Sequence, residues 1–115
     1  MNDYEFQLLL NKLHEYLATE KTFVENSIRM TEIKNAAEVA HELFPEAKIR
    51  IDDDPLQTGS LYLHIELADI NLSSEREIKL FSELISASDN FEIYAHQDGY
   101  IVFALVFENA YTRIQ

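Results

Sequence analysis

The chain has no cysteine among its 115 residues, which excludes a disulfide framework, a thiolate zinc site, an iron–sulfur cluster and a thiol nucleophile. Only two glycines are present, Gly59 and Gly99, too few to build a Gly-x-Gly-x-x-Gly turn or a P-loop. Nucleotide-dependent enzymes that use those loops are therefore excluded, and no Gly-x-Ser-x-Gly elbow is present either. Basic residues are scarce, with 9 Lys plus Arg against 21 Asp plus Glu and a formal charge of −12. A surface of that sign repels phosphates and anionic lipid headgroups, which disfavours direct nucleic-acid or membrane-surface binding. No apolar run approaches the ~18 residues that span a bilayer. The start, Met1-Asn2-Asp3-Tyr4-Glu5, lacks the basic region of a signal peptide, so a cytoplasmic location is expected.

Hydrophobic residues make up 47% of the chain and charged residues 26%, a balance that buries enough apolar surface to offset chain entropy. A single α+β domain over residues 1–115 is expected. The two glycines and two prolines, Pro45 and Pro55, all fall outside the periodic segments, where residues that break helix and strand belong.

Residues 3–18 place Phe6, Leu9, Leu10, Leu13 and Leu17 at helical spacing, which predicts helix 1. Ile33, Ala36, Ala37, Ala40, Leu43 and Phe44 form a second stripe over 31–44, with Thr31 as the expected N-cap and Pro45 as the stop. Phe23 and Met30 fit the same stripe, so an earlier start near residue 21 is an alternative. Lys48 to Asp52 and Leu61 to Leu67 alternate in hydrophobicity around the Pro55–Gly59 turn, which predicts a hairpin. Ser74-Glu75-Arg76-Glu77 is a capping box, and Ile78, Phe81, Leu84 and Ile85 follow it at helical spacing as helix 3. Phe91 to His96 alternates, Asp98-Gly99 suits a type I′ turn, and Tyr100 to Phe107 is almost wholly apolar, which predicts a second hairpin.

The order is a helical N-terminal extension over 1–30, an αββαββ core over 31–107 and a C-terminal tail over 108–115. An apolar strand belongs in the middle of a sheet, which gives the order β1-β2-β4-β3, antiparallel or mixed, with two helices on one face. That order is a circular permutation of the ferredoxin-like sandwich. Ile49, Ile51, Leu61, Leu63, Ile65, Leu67, Phe91, Ile93 and Ala95 are expected to face the helices. Arg50, Asp52, Tyr62, His64, Glu66, Glu92, Tyr94 and His96 then face the other way, around an apolar row from β4. Helix 1 is left to pack on a sheet edge, on the opposite face or on another subunit; through Phe6, Leu9, Leu10 and Leu13 it is the expected cover of that row, with a homodimer or a partner as the rival cover.

The run Asp52-Asp53-Asp54 has neither the glycine nor the twelfth-position glutamate of an EF-hand, so a solvated turn is expected and no metal or other cofactor is implied. Residues 1–58 hold 12 acids and 6 bases and residues 59–115 hold 9 and 3, with no Lys or Arg from Leu80 to Thr112. Charge that serves solubility alone is the plain reading, and two functional expectations stand beside it. The first is a non-catalytic module that binds a basic protein by mimicking nucleic-acid charge, in the class of inhibitors, immunity proteins and chaperones. Its expected surface comprises Tyr62, Glu66, Glu92, Tyr94 and Asp98, with Asp52, Asp53 and Asp54 as an acidic lip. The other is a self-associating module that takes a small ligand at the sheet face through His64, His96 and Tyr100. No catalytic motif is present, so an enzyme is not expected.

Overall fold

A computed structural model describes residues 1–19, 26–54, 56 and 59–110, with backbone alone over 14–19 and 26–28. Phe23, Pro55, the side chains of His14 and Leu17, and the tail beyond Ala110 lie outside the described residues. Three helices and four strands follow in the order α1 (Asp3–Thr19), α2 (Asn26–Leu43), β1 (Lys48–Asp53), β2 (Leu61–Leu67), α3 (Glu75–Ser86), β3 (Asn90–Ala95) and β4 (Ile101–Phe107). The strands form one sheet of order β1-β2-β4-β3, and every neighbouring pair is antiparallel.

Local chemistry accounts for the helix starts. Asn2 Oδ1 accepts the Glu5 N–H at 2.8 Å while Glu5 Oε1 accepts the Asn2 N–H at 3.1 Å, a reciprocal cap that begins α1. Ser74 Oγ accepts the Glu77 N–H at 3.1 Å, and the hydroxyls of Ser73 and Ser74 both donate to Glu77 Oε1. These bonds hold the Glu77 carboxyl below its ordinary value, the Ser73 hydroxyl foremost. α2 begins at Asn26 rather than at Thr31 or near 21, so Thr31 lies inside the helix and does not cap it. The added turn carries Arg29, which donates to Glu32 and to Asp89, each at 2.7 Å.

The core lies between the helices and one face of the sheet. Ala36, Ala37 and Ala40 present a row of methyls that lets α2 lie close to the strands, beside the buried Ile33 and Phe44. Phe81 of α3 joins the layers, its ring edge-on to Phe44 at 6.0 Å and to Phe103 at 5.3 Å. In register, Ile49, Ile65, Phe103 and Ile93 form one row across the sheet, and Ile51, Leu63, Leu105 and Phe91 form the next.

Four expectations change. α1 does not cross to the opposite face, because Phe6 stacks on His41 of α2 at 4.3 Å and Leu9 and Leu13 border the same hollow as Ile51 and Leu61. It is a third helix, seated against β1 and the flank of α2. Phe91 and Ile93 do point to the helical side but stay 44% and 52% exposed, since α3 is drawn inward by Phe81 and Leu84 and leaves β3 uncovered. The second hairpin does not close through a type I′ turn, because Asp98 keeps a negative φ and only Gly99 is left-handed, at +89°. Gly99 N–H donates to His96 O and His96 N–H to Tyr100 O, the pattern of a three-residue loop ending in a glycine bulge. The tail also starts as structure: Ala110 is buried and its N–H donates to Gly59 O at 2.8 Å.

Candidate functional site

The face of the sheet away from the helices is built by alternation. β4 contributes Val102, Ala104 and Val106, and register sets each between one residue of β2 and one of β3. Val102 lies between Glu66 and Tyr94, Ala104 between His64 and Glu92, and Val106 between Tyr62 and Asn90. Val102 is 2% exposed and Ala104 6%, although no described helix packs on this side. Each of these small residues lies in register between longer side chains of the flanking strands.

On the β1–β2 half of the face one cation, Arg50, offsets one of two carboxylate charges. Arg50 Nε lies 3.4 Å from Asp52 Oδ2 and Arg50 Nη1 lies 3.3 Å from Glu66 Oε1. His64 Nδ1–H donates to Asp52 Oδ2 at 2.7 Å, and the Tyr62 ring meets the His64 ring edge-on at 5.9 Å. His64 thus pairs with Asp52 on the neighbouring strand and not with Glu66 two residues along its own strand, which goes to Arg50. Arg50 was not among the candidate residues, and the signal for it is register: in an antiparallel hairpin Arg50 falls opposite His64 and Asp52 opposite Tyr62, diagonal to the imidazole. The Asp52–His64 pair has the orienting acid and base of a proton-transfer dyad, but among the described residues the ring makes no other hydrogen bond, to a hydroxyl nucleophile or otherwise.

The β3 half carries uncompensated charge. Glu92 has no cationic partner among the described residues, and all six residues of β3 are exposed. Asp98 stands at the hairpin tip, where its N–H donates to His96 Nδ1 at 3.3 Å. The same nitrogen lies 3.5 Å from Asp98 Oδ2. Burial raises the Tyr62 hydroxyl above its ordinary value, helped by the carboxylates of Asp54 and Glu92. Burial does the same for Tyr100, with Glu66 and Asp98 adding to it. Both phenols therefore remain protonated donors at neutral pH.

The candidate residues separate into groups. Asp52, Tyr62, Glu66, Glu92 and Tyr94 share the open face. Asp53 ends β1 opposite Leu61, and Asp54 is buried with its Oδ1 accepting the Leu56 N–H at 3.2 Å, so the three aspartates do not line one lip. His64 is locked to Asp52, whereas His96 stacks on Tyr100 at 4.4 Å beyond the end of β3, and the structure does not bring the two histidines together. Among the described residues no group of three or more His, Asp or Glu converges as metal ligands, and no helix is long and apolar enough to cross a membrane. Comparison with family models, curated proteins and solved structures finds no match for this chain.

Proposed function

We propose that this domain is a non-catalytic binding module whose anionic β3 side, Glu92, Tyr94 and Asp98 foremost, docks a basic protein partner. The observation that carries this reading is the division of the open face. Arg50 lies beside both Asp52 and Glu66 and offsets one of their two charges, while Glu92 and Asp98 stand exposed in a segment, Leu80 to Thr112, that contains no Lys or Arg. An electrostatic field of one sign next to exposed tyrosine and apolar side chains speeds encounter with a cationic protein and gives it something to bury. Tyr62 and Tyr100, protonated at neutral pH, add donors to an otherwise accepting surface. The αββαββ core is read as a permuted ferredoxin-like sandwich, a reading supported by the strand order and the helical side of the sheet. Affinity capture at low salt followed by a salt gradient tests the proposal. A basic protein released as salt rises supports it, and a partner whose retention is indifferent to salt contradicts it.

A further inference from the structure

We infer that the outer edge of β3 accepts an extended segment of the basic partner as a fifth, antiparallel or parallel strand, which rests on the reading just given and assigns it a docking mode. The hydrogen-bonding phase of the second hairpin fixes which backbone groups are free. His96 N–H donates to Tyr100 O, so His96, Tyr94, Glu92 and Asn90 are the positions that bond inward to β4, and Phe91, Ile93 and Ala95 turn their backbone groups outward. The Phe91 N–H is taken by Asn90 Oδ1 at 2.9 Å, whereas the outward groups of Ile93 and Ala95 meet no partner among the described residues.

Sheet edges in folded proteins are ordinarily blunted by Lys, Pro, a bulge or a covering element. β3 reads Asn-Phe-Glu-Ile-Tyr-Ala, with neither Lys nor Pro, and it is exposed along its whole length. Its side chains differ on the two faces. On the helical side Phe91 and Ile93 offer uncovered apolar surface, and on the other side Glu92 and Tyr94 offer an anion and a phenol. A strand that pairs here matches both if it alternates apolar residues with Lys or Arg, the cross-strand neighbours then being apolar with apolar and cation with Glu92. Charge also selects against a second copy of this chain, whose own β3 brings another Glu92 and whose formal charge is −12.

The test uses the intact protein and an end-blocked eight-residue peptide of alternating Val and Lys, titrated by NMR at low salt. Binding that protects the Ile93 and Ala95 amides from exchange supports the inference. Ile93→Pro removes one outward donor without removing a bond to β4, and it is expected to weaken the peptide at least tenfold in a protein whose circular dichroism is unchanged. If that variant fails to fold, the same peptide N-methylated on alternate backbone nitrogens, offered to the unaltered protein, is expected to lose binding equally. Undiminished binding by the folded proline variant or by the N-methylated peptide overturns the strand pairing. If Glu92→Lys still abolishes binding in that case, the basic-partner reading survives the loss of this one. Self-association of the free chain that Ile93→Pro abolishes assigns the edge to a second copy and likewise overturns the inference.

Discussion

His64 and Asp52 are joined across the β1–β2 hairpin by a 2.7 Å hydrogen bond, in which Nδ1–H donates and a carboxylate oxygen of the diagonal residue accepts. The same oxygen lies 3.4 Å from Arg50, so one carboxylate ties a histidine and an arginine to the same face. This fixes the imidazole in its Nδ1–H tautomer and removes Asp52 from the free anions of the sheet. Asp52→Ala is expected to shift the neutral ring toward the Nε2–H form, read from imidazole nitrogen shifts at pH 8. Stability should fall by about 1 kcal/mol, because the pair is partly exposed.

Asp89 and Arg29 make the contact between α2 and the approach to β3, and Asp89 Oδ2 also accepts the Glu108 N–H at 2.7 Å. Burial pushes the Asp89 carboxyl up, but Arg29 and the Glu108 N–H outweigh it and hold the carboxyl below its ordinary value of 3.8. The resulting stabilisation is complete above that ordinary value and is lost as pH falls through the lower folded value. Asp89→Asn should therefore cost about 1 kcal/mol at neutral pH and progressively less below pH 3.8, as followed by urea denaturation over pH.

Phe103 lies at the centre of the aromatic chain that links sheet to helices and is 2% exposed. Replacing it with Ala should destabilise the fold by roughly 3–5 kcal/mol through lost burial and a cavity among Phe81 and its neighbours. Chemical denaturation checks this, and a loss under 1 kcal/mol counts against the core described.

Gly99 has φ +89° and nothing within 4 Å of the position a Cβ would take. Gly99→Ala should cost roughly 1–2 kcal/mol from backbone conformation alone, with no steric repacking of the hairpin visible in amide shifts beyond its immediate neighbours.

The strand order was legible because a continuous apolar run such as Ile101 to Phe107 has only one economical place, between two other strands. The start of α3 was legible because Ser74 and Glu77 carry their cap locally. What was not legible depends on tertiary placement. The seat of α1 follows from Phe6 finding His41, and the exposure of Phe91 and Ile93 follows from α3 leaning toward Phe44 and Phe103. The turn before Gly99 differed because Asp-Gly suits both a two-residue turn and the last residues of a bulged loop, and the composition alone does not choose between them. On the open face, the alternation gave the correct membership, whereas the pairing of His64 with Asp52 required the register of the hairpin.

The central claim, that the β3 side of the sheet draws in a cationic protein, is tested most directly by stopped-flow association of the captured partner with the unaltered domain and with a Glu92→Lys, Asp98→Lys variant. The account predicts an association rate that drops at least tenfold between 50 and 500 mM salt for the unaltered domain, a slower rate for the variant at low salt, and convergence of the two at high salt. Equal rates for the two proteins, or a rate that salt leaves unchanged, would contradict it.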